Sequence, residues 1–554
     1  MMLSQRNVLT NIMSAFRGRN CLAAVFAAGL LLSGCETGEE LEPGTIGYVG
    51  GFFGGVAGDE PNAVLLARDV LTAGGTAADA AVAMSFAMTA TAPGNVSLGG
   101  GGVCMVHDST AGITEMLDFT AVSATGKTGP VAVGVPAFTR GMVALHARYG
   151  SLDWRLLLAQ PERIARIGHR LSRATATDLK RVYSALSRDP EFRKIFTSPE
   201  GRSYEESQAL RQIDLATLLG RIRVQGGGVI YSGNTARQIV AAVGEVGGNL
   251  TLQDLQDYRP QWRNTLTVEL GDDAAHFPMP DVGGGALLAQ AFAQLAYDDR
   301  YAEAGADERP HMILEALKRA YIERGRYLDQ DWQDDTSAQG ILLSEEKIEG
   351  LIASYDPSKA TALSRLGPVP SKTEPPAGTG ILVVDPSGMA VACEFGLNNL
   401  FGIGRIAPGT GSFIAAAPDA RNRNSLNLGA FMVSNRANFK FRYAAAGGGG
   451  ITKDAAVLSI AAETLLGNTP LEEAVRQARL SAGPNLTNSY VENENGANLK
   501  ASLMKRGHKV EGAGRFGRVN VMYCPSGLPQ SDPGRIACAI EEDTRGHGLG
   551  IMSK

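Results

Sequence analysis

Residues 356–395 constrain the fold more than any other part of this 554-residue chain. The stretch 356–378 (DPSKATALSRLGPVPSKTEPPAG) is rich in Pro, Ser and Lys and reads as an exposed loop. Two strand-like runs follow, Gly380–Asp385 and Met389–Phe395, separated by the turn Pro386-Ser387-Gly388. A loop that runs straight into a rigid hairpin places Thr379 at the very start of a strand. Upstream, Asn62–Thr72 and Ala77–Met88 have helical composition, while Val103–His107 and Ile113–Phe119 read as strands. Helical runs continue at Trp154–Ile167, Asp214–Val224, Ala286–Ala296 and His311–Tyr327, with strand-like Leu266–Leu270 among them. Residues 451–465 and 470–480 read as helices, and the end of the chain is β-rich. The alternation predicts a mixed α/β fold with its main break near residue 378.

Composition narrows the class. Hydrophobic residues make up 44% and charged residues 20%, enough to bury a sizeable core. A net charge of −5 with no long Lys/Arg run argues against nucleic acid as a partner. Glycine is in excess, with 68 residues or about 12% against an ordinary ~7%. The clusters Gly99–Gly102, Gly283–Gly285 and Gly447–Gly450 predict tight turns and close backbone approach rather than a linker.

The N-terminus reads as an address. Arg6, Arg17 and Arg19 precede the apolar run Leu22–Leu32, whose 11 residues fall short of a spanning helix. Leu32-Ser33-Gly34-Cys35 resembles a bacterial lipobox, so residues 1–34 are expected to be a lipoprotein signal, Cys35 the lipidated residue and 35–47 a tether. An ordinary cleaved signal with an incidental cysteine fits the same pattern. Position 36 is Glu rather than Asp, which predicts no inner-membrane retention. The expected location is therefore the cell envelope, anchored by lipid to the outer membrane on its periplasmic side. Export bears on Cys524 and Cys538, which flank a Pro/Gly-rich turn between two apolar runs. A disulfide and two buried thiols both fit that spacing.

Several chemistries lack their motifs. The seven histidines form no HExxH and no paired-ligand spacing, and neither GxxxxGK[ST] nor GxSxG occurs. No metal and no cofactor is expected. One hydrolytic route needs no histidine: a Thr at a newly made chain end can use its own α-amine as general base. Thr379 follows a cleavable loop and opens a strand, and Gly447–Gly450 can offer backbone N–H groups to an oxyanion.

At these residues the chain resembles the γ-glutamyltranspeptidase family of N-terminal-nucleophile (Ntn) hydrolases. Gly74–Ala83 (GGTAADAAVA), Leu98–Gly102, Gly134-Val135-Pro136, Leu252–Tyr258 with Pro280–Gly285, and Val383 to Gly404 match family motifs in order. The resemblance implies an αββα four-layer sandwich and a precursor that cuts itself before a Thr. It implies a large-subunit segment 48–378 and a small-subunit segment 379–554 that stay together as one intertwined fold. The nucleophile would attack γ-glutamyl amides such as glutathione, passing the acyl group to water or an amine. Carried over by position, Thr379 is the nucleophile, Gly448 and Gly449 the oxyanion pair, and Asn398, Asp419 and Thr120 the substrate-binding positions.

Four positions depart from the family pattern. Counted back from Asp385 without a gap, Gly378 takes the nucleophile position and Thr379 its neighbour; a one-residue gap restores Thr379. Gly396 replaces a supporting threonine, Thr120 replaces the arginine that clamps the substrate α-carboxylate, and Ala420 replaces the second of two aspartates. Two expectations follow. One is a self-processing enzyme acting on γ-glutamyl or related acyl amides, as the family's acylases do. The other is an unprocessed, inactive family member serving as an envelope binding lipoprotein.

Overall fold

The computed structural model describes residues 54–126, 130–327, 332, 335–368, 377–418, 428–530 and 538–552. The expected signal, Cys35 and tether lie outside the described residues, as does Asp419. Thirteen strands build two antiparallel sheets. In chain order they are β1 (Gly55–Gly58), β2 (Gly101–Asp108), β3 (Ile113–Phe119), β4 (Gln261–Arg263), β5 (Leu266–Leu270), β6 (Asp273–Phe277), β7 (Thr379–Val384), β8 (Ala390–Gly396), β9 (Phe431–Asn435), β10 (Phe441–Gly448), β11 (Arg518–Leu528), β12 (Ala539–Glu541) and β13 (Leu549–Met552). The first sheet runs β13-β1-β7-β8-β2-β3-β4 and the second β12-β11-β10-β9-β6-β5. Strands from both sides of residue 378 enter both sheets, so position 378 is no domain boundary.

Helices cover the outer faces. On the first sheet lie α1 (Pro61–Thr72) and α2 (Ala77–Thr91), and α3 (Arg173–Leu186) follows further along the chain. On the second lie α4 (Gly284–Ala296) and α6 (Ile451–Ala461), with α5 (Arg309–Tyr327) packed against both of them. The result is the αββα sandwich. α2 is buried along its whole length, which is why it is built from Ala, Met and Phe rather than a polar-faced pattern. The Gly74–Ala83 motif starts it: Thr76 and Asp79 form a reciprocal capping box, and Asp79 also accepts the Ser151 and Leu152 N–H groups.

Side-chain alternation divides the core. Ala57, Leu382, Val384, Ala390 and Ala392 pack in the same cluster as Phe277, Phe431, Tyr443 and Met522 of the second sheet. Val56, Ile381, Val383, Val391 and Cys393 pack instead with α1 and α2. Where the sheets come closest, glycine is required by space: a Cβ on Gly380 would lie 2.4 Å from the Gly447 nitrogen.

Two readings need correction. Residues 470–480 are helical only over Leu471–Arg476, after which Leu480–Ala482 pairs as a strand with Asn488–Glu492. The change comes where Arg479 is drawn inside to pair with Asp543 at 2.8 Å. The loop 356–378 also contains a short helix, Leu363–Leu366. Among the described residues, no helix is long and apolar enough to cross a membrane.

Candidate active site

Thr379 opens β7 opposite Phe395 and is 2% exposed. Its hydroxyl donates to Asp59 Oδ2 at 2.8 Å. Asp59 follows β1 directly and is held in turn, its Oδ1 accepting from Asn520 Nδ2 at 3.1 Å. The same amide reaches the Gly380 carbonyl at 3.1 Å, so one β11 side chain ties the carboxylate to the strand it serves. The preceding residues are gripped as well. Gly378 donates its N–H to Asn95 Oδ1 at 3.0 Å, and its carbonyl accepts from Arg518 Nη2 at 3.1 Å. The Gly449 N–H donates to the Ala377 carbonyl at 3.3 Å. The Gly378–Thr379 peptide thus has a guanidinium at its carbonyl and a carboxylate at the adjoining hydroxyl.

Buried charges hold the glycine turn Gly447–Gly450. Glu394 accepts N–H groups from Gly447 at 2.9 Å and Gly429 at 2.6 Å, and Lys453 Nζ lies 3.0 Å from it and 2.8 Å from Asp454. Burial pushes the Glu394 carboxyl up, opposed by Lys453 and the two backbone donors. The turn must be glycine where it meets the chain, because a Cβ on Gly448 would lie 2.2 Å from the Gly378 oxygen. Beside it opens a cavity of about 360 Å³ whose walls include Asn95, Asp178, Arg181, Gly448, Gly449 and Arg518. Asn95 Nδ2 donates to Asp178 Oδ2 at 3.0 Å. Burial raises the Asp178 carboxyl above its ordinary value, and Arg518 pulls it back.

Alternation along β7 sorts these groups by face. Gly380 points at the second sheet, so Thr379 shares the side of Ile381 and Val383, toward the helices. The Thr379 hydroxyl nevertheless bonds to Asp59, which is held by Asn520 and lies 3.9 Å from Arg518, the β11 residue paired with Gly448, so Thr379 and Gly448–Gly449 both converge on Gly378. β7 pairs with β1 and β8 in unbroken register, so the one-residue gap that would shift Thr379 is not a bulge within the strand.

Thr120 and Asn398 are brought together, away from that peptide's hydrogen bonds. Thr120 Oγ1 donates to Asp118 Oδ1 at 2.8 Å, and its carbonyl accepts from Tyr258 Oη at 3.0 Å. Asn398, at φ +60°, donates from Nδ2 to the carbonyls of Ala416 at 2.9 Å and Ala121 at 3.5 Å. The Cys524 and Cys538 sulfurs are bonded at 2.09 Å. A second disulfide, Cys104–Cys393, joins facing residues of β2 and β8 across 289 residues of chain. The sequence reading missed it, along with Asp59, Asn95 and Arg518. Only knowledge of strand register brings these distant residues together.

The expectation of no paired histidine ligands needs correction in space. His311, Glu315 and His508 place their ligand atoms within 4.8 Å of one another. The ring nitrogens are nevertheless committed: Lys318 Nζ lies 3.0 Å from His508 Nδ1, His508 Nε2 2.6 Å from His311 Nδ1, and His311 Nε2 2.9 Å from the Asp356 carbonyl. An ammonium donor at one end and a carbonyl acceptor at the other orient a proton chain through both rings. Burial and Lys318 push His508 down to about 3.

The gamma-glutamyltranspeptidase family model matches residues 63–535. The chain belongs to the gamma-glutamyltranspeptidase family. Among characterised relatives it is 30% identical over 380 residues to a glutathione hydrolase proenzyme of Pseudomonas aeruginosa, covering 65% of this chain and 66% of that one. It is 24% identical over 510 residues to Scoloptoxin SSD14 of Scolopendra dehaani, covering 84% and 88%. Among solved structures, a cephalosporin acylase from Bacillus halodurans superposes with a TM-score of 0.77 at 21% identity, covering 92% of this chain and 99% of that one. Gamma-glutamyltranspeptidase of Helicobacter pylori superposes at 0.51 with 25% identity, covering 56% and 93%. Those likenesses agree with the two sheets and outer helices of this family member.

Proposed function

We propose that this family member is an exported amide hydrolase or acyl transferase, matured by cleavage between Gly378 and Thr379 and acting on γ-glutamyl or related acyl amides. The observation that carries the reading is the grip on that one peptide: Asp59 at the Thr379 hydroxyl, Arg518 at the Gly378 carbonyl and Gly449 N–H at the Ala377 carbonyl. Cleavage frees the Thr379 α-amine to act as general base and releases Gly449 N–H to an incoming oxyanion. The Pseudomonas relative is named a proenzyme, which agrees with maturation by cutting. Thr120 offers no guanidinium for a free α-carboxylate, so amides lacking that group are expected to compete well with glutathione. Cys35 would carry the lipid that keeps the two processed segments at the envelope.

The test is the intact mass of the purified protein under reducing conditions. Two species are expected, the smaller beginning at Thr379, with a single species for Thr379→Ala; a panel of γ-glutamyl and dicarboxylic-acyl anilides then ranks acyl groups. A wild-type chain that stays whole would sink this reading. It would favour the second one, an inactive binding lipoprotein, which draws support from glycine at 378 and 396.

A further inference from the structure

We propose that Asp59 and Arg518 are the catalytic residues of maturation, Asp59 as the base on Thr379 Oγ1 and Arg518 as the oxyanion donor on the Gly378 carbonyl. This rests on the self-processing reading above and assigns the groups that perform it. The step uses an acceptor and a donor already hydrogen-bonded to the two reacting residues. Oγ1 forms a bond to the Gly378 carbonyl carbon while its proton passes to Asp59 Oδ2, 2.8 Å away. The carbonyl oxygen gains negative charge where Arg518 Nη2 already donates at 3.1 Å. Collapse breaks the bond from Gly378 carbon to Thr379 nitrogen, and Asp59 returns the proton to that nitrogen. The products are an ester linking Gly378 to Thr379 Oγ1 and a free Thr379 amine. Water then adds to the ester and breaks the carbon–Oγ1 bond, leaving a Gly378 carboxylate and restoring the hydroxyl.

The surroundings suit a base better than a structural carboxylate. Asp59 is 7% exposed, and Asn520 occupies Oδ1 so that Oδ2 is aimed at the hydroxyl. Arg518 lies 3.9 Å from Asp59 and donates its hydrogen bond to the scissile carbonyl. Neither residue needs the Thr379 α-amine, which is still an amide nitrogen at this stage. Maturation and turnover thus use different bases on one hydroxyl.

The test follows cleavage of the full chain by intact mass under reducing conditions, with thermal unfolding as the control for fold. Asp59→Asn keeps the shape and the Asn520 contact, and Arg518→Gln removes the guanidinium. Each folded variant is expected to cleave slower by ~10²-fold or more, the scale of losing a base or an oxyanion donor. Hydroxylamine should speed wild-type cleavage by capturing the ester as a Gly378 hydroxamate. It should leave Asp59→Asn unchanged, because ester formation is then the slow step; a role in support alone predicts hydroxylamine rescue. Wild-type cleavage rates in either folded variant, or rescue of Asp59→Asn, overturn the assignment. If Asp59→Asn does not fold, Arg518→Gln decides by the same rates. A wild type that never cleaves defeats the self-processing reading itself, an outcome distinct from cleavage that ignores these two side chains.

Discussion

Glu60 sits next to the proposed base and caps α1, accepting from Asn62 Nδ2 at 2.8 Å while only 1% exposed. Burial drives its carboxyl from 4.5 to about 7, opposed by Ser172 and Asn62 and reinforced by the charge of Asp59. The unfolded chain loses this proton near 4.5 and the folded one near 7, so between those values the folded state holds more protons and stability falls as pH rises. Below the lower value both states are protonated and the contribution is complete; above the upper it is gone. At ~1.36 kcal/mol per tenfold change the loss amounts to about 3 kcal/mol. Glu60→Gln keeps the shape and the amide-compatible cap without the titration. Urea unfolding of wild type and Glu60→Gln at pH 4.5 and pH 8 should show the variant gaining about 3 kcal/mol on the wild type between the two conditions. A difference that does not change with pH would refute the burial argument. A difference that shrinks as pH rises would reverse its sign.

Three further outcomes follow from the geometry. Cys104 lies before the expected cut and Cys393 after it, so processed protein should run as one band on a non-reducing denaturing gel and as two after reduction; Cys104→Ala with Cys393→Ala should give two bands either way, and a single reduced band for the wild type would mean that no cut lies between them. Gly380→Ala drives a methyl against the Gly447 nitrogen and Ala446 carbon of the other sheet, and thermal unfolding should show a loss of about 1–3 kcal/mol or more, where an unchanged midpoint would mean that the sheets are not in contact there. Thr120→Arg should lower KM for a γ-glutamyl anilide by ~10-fold or more with little effect on amides lacking an α-carboxylate, as one charged hydrogen-bonded pair would give; equal effects on both would place the α-carboxylate elsewhere.

Much of the sandwich was legible because its elements are written locally. Ile113–Phe119 and Leu266–Leu270 are strands with the limits their β-branched and apolar runs suggest, and Ala77 begins a helix because Thr76 and Asp79 cap it. Arg309–Tyr327 extends the helix read at His311 by two residues. What stayed hidden depends on pairing. Nothing near Cys104 points to Cys393; the partnership exists because β2 and β8 align those two positions. Asp59 and Asn520 are 461 residues apart and lie outside every motif, so only the meeting of β1, β7 and β11 makes them a site. The helix expected over 470–480 failed for a similar reason, since Arg479 turns inward to Asp543, which no local propensity foretells.

The glycine at 378 is where composition, register and chemistry meet. Its φ of +94° lies where an L side chain is strained, and a Cβ there would approach the Phe395 oxygen at 3.1 Å. A threonine in that position would have to shift the chain, and the close approach of Gly448 to the Gly378 carbonyl would be disturbed with it. Glycine at 378 therefore allows the carbonyl to enter the turn. The hydroxyl of Thr379 stands one residue later, where Asp59 accepts from it. A displaced hydroxyl with its own carboxylate is chemically different from a missing one. Whether the chain cuts before Thr379 consequently turns on the Asp59 contact more than on how many family residues have been replaced.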